Sequence, residues 1–236
     1  MNGLGADFLR ICKIYHYCKK HHLQLFMDEQ DDWKIVPFPV KNWRSIFQSL
    51  DMTSEPMDTI DESLLTKMTN YKVSFYELKQ VVKELYKPQK EFIYDMCSLN
   101  AIIHVRRGDK VSGRWKEGQF HSLDEYYDKI KHLYSPHEIY VMTDSPDVSK
   151  EACTRGFIID REEHRRDGFV YRHYHKPYTT EELYDEIATF FKNMNLLQHS
   201  DVLVGSNSSF FFVLGQLLNG KRGISLSNNL TCYIVD

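Results

Sequence analysis

Three polar stretches of this sequence carry side chains that could bind an anionic ligand. The first reads His-Val-Arg-Arg-Gly-Asp-Lys over residues 104–110, the second is Thr-Asp-Ser-Pro at 143–146, and the third is Gly-Ser-Asn-Ser-Ser-Phe at 205–210. Guanidinium groups pair bidentately with phosphate oxygens, so the adjacent arginines and the lysine of the first stretch could hold a diphosphate. The hydroxyl and backbone N–H groups of the third stretch would face the same anion where a helix begins. Taken singly, each stretch is better explained by a salt bridge at the sheet edge or by a helix N-cap, and it is their recurrence at successive strand ends that favours a shared binding site.

Each polar stretch follows a run of apolar residues that is typical of a buried strand. Strands that alternate with helices predict a parallel sheet covered on both faces. Ligands bind beyond the carboxyl ends of such strands, so the three stretches are expected at one edge, as in a Rossmann-like nucleotide-binding unit. The sequence predicts strands at 101–105, 138–142, 156–159, 202–204 and 223–226, and helices at 123–134, 149–154, 179–198 and 208–218.

The chain is predicted to divide into a smaller half at 1–98 and a larger half at 99–236. Gly3 and Gly5 are expected to open a loop before a helix. A glycine-rich turn ahead of a helix lets an anion or a ligand approach the backbone, although a plain turn explains two glycines as well. Later in this half, residues 75–96 are predicted to form a helix that a proline interrupts or divides in two.

Composition excludes several classes of protein. The 236 residues carry 30 Lys and Arg against 33 Asp and Glu, a formal net charge of −3, so non-specific nucleic-acid binding is not expected. No apolar run approaches the ~20 residues that cross a bilayer, and the first residues do not resemble a secretory signal. The cysteines are scattered and include no Cys-x-x-Cys pair, which predicts a reduced, cytoplasmic protein without a zinc site.

Motifs of the common nucleotide-binding classes are absent from the sequence. It contains neither the Gly-x-x-x-x-Gly-Lys-Ser/Thr loop of P-loop NTPases nor the Gly-x-Gly-x-x-Gly fingerprint of dinucleotide enzymes. No Asp-x-Asp pair is present to hold a metal ion against a diphosphate. We therefore expect cationic side chains and helix ends to neutralise a bound phosphate, with no metal and no cofactor.

The motifs at the strand ends resemble those of the GDP-fucose-dependent fucosyltransferases, most closely the α1,6-fucosyltransferases. The family signature His-Val-Arg-Arg-x-Asp-Lys is similar to residues 104–110. The family's Glu-x-x-Phe-His, followed by an acidic helix with tyrosine, is similar to 117–121 and 124–126. The Thr-Asp at 143–144 and the serine-rich turn after the strand at 201–209 also resemble the family. The α1,2-fucosyltransferases share the opening Gly-Leu-Gly, the Arg-Arg-Gly-Asp and the Asn-Ser-Ser-Phe, so the branch stays open.

This resemblance implies a GT-B-like α/β fold with two Rossmann-like halves. The reduced N-terminal half would face the acceptor, and the C-terminal half would bind the nucleotide sugar. The implied reaction is an inverting, metal-independent transfer of L-fucose from GDP-fucose to a glycan hydroxyl. Arg106 would bind the β-phosphate and assist catalysis, and Glu117 or else Asp109 would be the base. The other candidate residues are His104, Arg107, Lys110, Asp144, Asn193, Ser208, Ser209, Gly3 and Gly5 on the donor side, and Lys110 and Tyr126 on the acceptor side.

Departures from the family pattern leave alternatives open. Three extra residues separate Lys110 from the matched Glu117, and Asn193 stands where the family has a guanine-recognising aspartate. An amide cannot accept two hydrogen bonds from guanine as a carboxylate does, so another GDP-sugar or a UDP-sugar is a second hypothesis for the donor. The short chain suggests a third, a nucleotide-binding relative without catalysis. Basic and aromatic residues at 161–176 suggest single-stranded nucleic acid as a fourth, although the acidic residues among them favour a loop over the cleft.

Overall fold

The computed structural model describes residues 4–23, 67–68, 70–93, 99–107, 121–159, 180–206, 210–221, 223–226 and 234–235 of the chain. The chain forms two compact units. One consists of Met1–Tyr94 with Cys232–Asp236, and the other of Asp95–Thr231. Within the described ranges, no helix combines the length and the apolar character that a membrane span requires. The assignment of an acceptor half at 1–98 and a donor half at 99–236 stays a prediction.

Six helices and six strands make up the described part of the chain, apart from short 3-10 turns at Lys90–Phe92 and Pro136–Glu138. The strands predicted at 101–105, 138–142, 202–204 and 223–226 are confirmed, with ends that differ by one or two residues. In chain order the elements are α1 (Leu4–Lys20), β1 (Val73–Ser74), α2 (Phe75–Leu85), β2 (Leu99–Val105), α3 (Leu123–Tyr127), β3 (Ile139–Thr143), α4 (Pro146–Thr154), α5 (Thr180–Gln198), β4 (Ser200–Gly205), α6 (Phe210–Asn219), β5 (Ile224–Ser225) and β6 (Ile234–Val235).

The smaller unit is built around α1 and α2, which pack against each other. The ring of Phe8 on α1 meets the ring of Tyr86, directly after α2, edge to face at 5.7 Å. Helix α2 begins at a capping box in which the side chains of Ser74 and Glu77 each bond the other's backbone N–H. Strand β1 pairs in parallel with β6, so the last strand of the chain belongs to this unit.

Two predictions for the smaller unit differ from the structure. Gly5, expected in a loop, is buried in the first turn of α1, because packing of this helix outweighs the ~1 kcal/mol that a helical glycine costs. Gly3 lies outside the described residues. The helix predicted over 75–96 ends at Leu85, three residues before Pro88. A proline disfavours the helical conformation of the residue before it, so the interruption lies upstream of the proline itself.

The larger unit contains a parallel sheet of four strands in the order β3-β2-β4-β5. Ile103 of β2 is in register with Val141 of β3 on one side and with Val204 of β4 on the other. The strand predicted over 156–159 is reduced to a single parallel bridge that Ile158 forms with β3. When this bridge is counted as an edge strand, the spatial order is the bridge, β3, β2, β4 and β5. If these five are renumbered from one in chain order within the larger unit, this is the 3-2-1-4-5 order of a Rossmann-type fold. The predicted α/β fold is confirmed, and its parallel sheet is compatible with a Rossmann-like core; the two-domain GT-B arrangement stays a prediction.

Different helices cover the two faces of strand β2. Successive side chains of a strand point to opposite faces of the sheet. Val105 belongs to a buried cluster that includes Leu123 of α3 and Val148 of α4. His104 lies on the opposite face, where its ring stacks on Phe212 of α6, and α5 packs against α6. The sheet therefore has an α3–α4 face and an α5–α6 face.

The helix predicted over 123–134 is α-helical only as far as Tyr127. Beyond it the chain forms mixed turns, in which the N–H groups of Ile130 and Leu133 bond to carbonyl oxygens three residues back and those of Lys131 and Tyr134 bond to oxygens four residues back. Ile130, in these turns, is still buried in the same core cluster as Tyr126 of α3. The apolar spacing that predicted a longer helix is therefore preserved although the α-helix is not.

Candidate functional site

Strands β2 and β4 lie side by side, but the chain leaves them in opposite directions across the sheet. From β2 it passes through α3 to β3 on one side, and from β4 it passes through α6 to β5 on the other. At such a switch point the connections diverge and leave a crevice beyond the carboxyl ends of the strands. Arg106 and Ser206 are the first residues beyond β2 and β4. We call the place that they mark the switch-point edge.

Helix α6 begins on the side of the switch-point edge and runs away from it. At the far end of α6, the side chain of Asn219 donates to the carbonyl oxygens of Leu197, at 2.9 Å, and of Ser200, at 2.7 Å. Ser200 is the first residue of β4, so α6 ends beside the amino end of this strand and begins toward its carboxyl end. The N–H groups of a first helical turn, together with the helix dipole, favour an anion. Ser208 and Ser209, predicted to contact the phosphates, lie outside the described residues.

His104 lies one residue before the end of β2 and is buried, with 8% of its surface exposed. Its ring stacks on Phe212 of α6, with centroids 6.3 Å apart and planes that differ by 9°. Burial, and then the positive charge of Arg106, lower the pKa of His104 to about 3. The imidazole is therefore neutral at physiological pH and adds no second charge beside the arginine.

Phe212 can approach His104 because a glycine ends β4. A Cβ at Gly205 would lie 2.5 Å from Cδ2 of Phe212, and a Cβ at Gly223 would lie 2.9 Å from Cζ of the same ring. The two glycines thus leave room for a side chain that is fully buried. From the sequence, Gly205 was expected only to start a turn, and no role was expected for Phe212. The sequence did contain a signal for this close approach, because a glycine that ends a buried strand before an apolar helix often marks a place where another group comes close to the backbone.

Arg107 joins the end of β2 to the segments that carry β3 and α3. Its backbone N–H donates to Oδ1 of Asp144 at 2.6 Å, just after β3. Its guanidinium group donates to the backbone carbonyl oxygen of His121, two residues before α3. Arg107 and Asp144 are both candidate donor-binding residues, and both take part here in contacts within the protein. The positive charge of the adjacent Arg106 lowers the pKa of His104, a residue that lies on the other face of the sheet.

His121 and Glu125 form a fixed pair at the start of α3. Nδ1 of His121 lies 3.1 Å from Oε1 of Glu125, and the imidazole side chain is 8% exposed. The other carboxylate oxygen of Glu125 accepts from the backbone N–H of Ser122 at 2.6 Å, within the capping box of α3. The bond from the Ser122 backbone, and then that from His121, lower the pKa of Glu125 to about 2, so the carboxylate is ionised. Tyr126, predicted on the acceptor side, is buried with its ring edge-on to His121 at 5.9 Å.

Asn193 lies toward the amino end of the sheet. Helix α5 ends at Gln198, and one residue separates it from Ser200 at the amino end of β4. Asn193 is therefore roughly 8 Å along the helix from that end. Strand β4 has six residues, a length of about 20 Å. This position is nearer the amino edge than the switch-point edge, and a contact of Asn193 with the base of a nucleotide stays a prediction.

The predicted site residues divide into three groups. Those that the structure brings to the carboxyl ends of the strands, or beside them, are His104, Arg106, Arg107, Asp144 and Tyr126. Gly5 lies in the smaller unit and Asn193 on α5. Those outside the described residues are Gly3, Asp109, Lys110, Glu117, Ser208 and Ser209.

Comparison with known proteins adds no family to this geometry. No protein-family model matches the chain, and a search of the curated proteins found no match. Among the residues that the structure describes, no group of three or more His, Cys, Asp or Glu side chains could hold a metal ion. The function is therefore argued from the motifs and from the switch-point edge.

Proposed function

We propose that this chain is an inverting, metal-independent glycosyltransferase that moves L-fucose from GDP-fucose to a hydroxyl group of a glycan. The observation that carries the proposal is that Arg106 follows β2 at the same edge of the sheet at which α6 begins after β4. A guanidinium group and a helix N-terminus both favour a diphosphate. Both belong to stretches whose sequence resembles the fucosyltransferases.

The proposed chemistry concentrates negative charge on the departing nucleotide. The sugar passes through an oxocarbenium-like transition state while the bond to the diphosphate breaks. Arg106 and the first turn of α6 would stabilise the charge that develops on the phosphate oxygens, and one oriented donor of this kind contributes about 10²–10³ in rate. His104 and Phe212 form a buried wall on the α5–α6 face, which keeps water from weakening these interactions.

The acceptor hydroxyl must lose a proton as it attacks the sugar. Glu117, or else Asp109, is proposed as the base that takes this proton. Arg107 is proposed to act through other residues, because its contacts with Asp144 and His121 align β3 and α3 with the end of β2. The two adjacent arginines therefore have different proposed roles, and only Arg106 is assigned to the phosphate.

Substitution of Arg106 by alanine tests the proposal. We expect Arg106→Ala to lower fucose transfer from GDP-fucose by about 10²-fold or more, with an unchanged melting temperature and weaker GDP binding in calorimetry. The matched control is Lys221→Ala, which removes a cation whose Nζ lies 3.4 Å from Asp201, at the amino end of β4. The control should retain both GDP binding and turnover. Normal turnover by the Arg106 variant would refute the phosphate assignment.

A second candidate function keeps the fold and the chemistry and changes the nucleotide sugar. Asn193, in the place of the family's aspartate and near the amino edge of the sheet, is the observation that favours it. Thermal-shift measurements with GDP, UDP and their sugars separate the candidates. Stabilisation by UDP and not by GDP would favour the second, and stabilisation by GDP without turnover of any sugar would indicate a binding protein without catalysis.

A further inference from the structure

A side chain extends the pairing of β2 with β3 beyond the last residues of the two strands. The final register pair is Val105 with Thr143, and the chain after β3 then enters α4 at Pro146. Beyond that pair, the N–H of Arg107 donates to Oδ1 of Asp144 at 2.6 Å, where a longer ladder would offer a backbone carbonyl oxygen. Asp144 therefore holds the chain that leaves β2 against the chain that leaves β3.

Asp144 is itself fixed by the turn that begins α4. The backbone N–H of the next residue, Ser145, donates to Oγ1 of Thr143 at 3.2 Å. The side chain of Ser145 is the N-cap of α4 and accepts from the N–H of Val148 at 3.4 Å. Val148 belongs to the buried core cluster of the larger unit. Both neighbours of Asp144 are therefore held, and its carboxylate extends from a fixed backbone.

The N–H that Asp144 accepts belongs to the peptide group that follows Arg106. The end of β2 holds the chain before Arg106, and Asp144 holds the chain after it. The guanidinium group of Arg107 is a further anchor, because it donates to the backbone carbonyl oxygen of His121. A residue has only two soft backbone dihedrals, so anchors on both sides restrict the direction in which the side chain of Arg106 leaves the backbone.

We propose that Asp144 is a positioning residue, which fixes the Arg107 N–H and so orients the guanidinium group of Arg106 toward the phosphate oxygens of the nucleotide sugar. This inference rests on the proposed function. A carboxylate repels phosphate oxygens, so direct contact between Asp144 and the diphosphate is not expected. A cation that is already oriented stabilises the charge developing on the departing diphosphate without reorganising during the reaction. Asp144 therefore raises the rate of transfer through Arg106.

Two substitutions of Asp144 separate this role from one that needs the carboxylate charge. Asp144→Asn keeps an oxygen that can accept from the Arg107 N–H, whereas Asp144→Ala removes it. The matched control is Asp147→Ala, which removes an exposed carboxylate from the first turn of α4. All rates are measured well below the melting temperature of the least stable variant, so that a loss of stability alone does not change them.

We expect Asp144→Ala to lower kcat for transfer from GDP-fucose by about 10- to 100-fold, since a misplacement of about 1 Å can cost that much. The KM for GDP-fucose should change less than kcat, because the charge that Arg106 stabilises develops in the transition state. Asp144→Asn should stay within about fivefold of the wild type, because its neutral oxygen forms a weaker bond. Asp147→Ala should keep the wild-type kcat. Equal losses in Asp144→Asn and Asp144→Ala would overturn the proposal.

The effect of Asp144 must also depend on Arg106. Adding Asp144→Ala to Arg106→Ala should cause no further loss of turnover or of GDP affinity, because the group that Asp144 orients is already absent. Losses that multiply would overturn the proposal, since Asp144 would then act on the substrate by itself.

Hydrogen exchange of the Arg107 amide, measured without substrate, tests the geometry independently of turnover. Its protection should persist in Asp144→Asn and be lost in Asp144→Ala, and equal protection in both would overturn the inference. If the wild type transfers no fucose, calorimetry with GDP and UDP gives the same cycle. A loss of nucleotide affinity on Asp144→Ala that disappears without Arg106 would uphold the inference while the proposed function fails. A wild type that binds neither nucleotide would overturn both.

Discussion

Replacing Gly205 by alanine should disturb the stability of the larger unit and the switch-point edge together. Gly205 ends β4, and a Cβ there would lie 2.5 Å from Cδ2 and 2.8 Å from Cγ of Phe212. Carbon atoms in favourable contact are about 3.5–4.0 Å apart, so the ring would have to retreat by roughly 1 Å. Its room to retreat is limited, because it stacks on His104 and its far end already meets Gly223.

The magnitude follows from the cost of overpacking. Forcing an extra carbon into a well-packed core costs about 1–3 kcal/mol, and the reduced freedom of the unfolded chain returns about 0.4–1 kcal/mol. We therefore expect a net loss of about 1–2 kcal/mol in the free energy of unfolding. The melting temperature should fall by roughly 2–8 °C. The displaced ring stacks on His104, which lies beside Arg106, so the GDP binding that we propose should weaken in the same variant.

A double-mutant cycle identifies the clash itself as the cause. Phe212→Leu shortens the side chain that meets the new Cβ, so Gly205→Ala should cost less when combined with it. The coupling between two residues in contact is typically about 0.5–3 kcal/mol. Urea unfolding of the wild type, both single variants and the double variant measures this coupling. Strict additivity would refute the reasoning, as would a Gly205→Ala protein with unchanged stability.

Gly215 provides the matched control within α6. A Cβ there would lie 2.7 Å from Cδ1 of the buried Leu197, at the end of a side chain that can rotate, and 3.0 Å from its Cβ, which would have to shift by a few tenths of an ångström. Alanine also improves the helix interior by about 1 kcal/mol relative to glycine. We expect Gly215→Ala to change stability less than Gly205→Ala and to leave GDP affinity unaltered. Equal losses of GDP affinity in both variants would show that the effect does not arise at the switch-point edge.

Two further predictions concern His104 and Asp144. The folded pKa of His104, about 3, lies below the ~6.5 of an unfolded histidine, so the unfolded state binds the extra proton between these values. The stability contributed by His104 is complete above about pH 6.5 and is lost as the pH falls toward 3. Between about pH 7 and pH 5, the free energy of unfolding measured in urea should therefore fall less for His104→Phe than for the wild type. Parallel losses in the two proteins would contradict the assignment. Asp144→Ala removes the acceptor of the Arg107 N–H and should lower the free energy of unfolding by about 1–3 kcal/mol. The amide hydrogen of Arg107 should exchange with solvent faster in this variant. Unchanged exchange would show that the hydrogen bond does not protect this amide.

The strands of the larger unit could be predicted closely from the sequence. Ile102 and Ile103 are fully buried on opposite faces of β2, and Val141 is buried in β3. A strand covered by helices on both sides needs apolar residues at every position, so it appears as a short continuous apolar run. The edge of the sheet beyond β3 is less predictable, because the single bridge at Ile158 depends on pairing with β3 and leaves no periodic pattern.

The site could be predicted in part. A buried His104 and an arginine after the strand follow from the motif at 104–110, because an apolar run ends there. The stack of His104 on Phe212 could not be foreseen, since it joins residues more than a hundred positions apart. The pairing of His121 with Glu125 also depends on geometry. The motif that contains His121 was recognised in the sequence, but its 3.1 Å contact with Glu125 was not.

The division of work between the two arginines follows from the alternation of β2. His104 lies on the α5–α6 face and Val105 on the α3–α4 face. If the chain stays extended for two more residues, Arg106 shares the face of His104 and Arg107 shares that of Val105. The contact of Arg107 agrees, because its guanidinium group donates to the backbone carbonyl oxygen of His121, two residues before α3. Alternation beyond the end of β2 would therefore separate the two arginines, and of the pair expected to hold one diphosphate only Arg106 is proposed to do so.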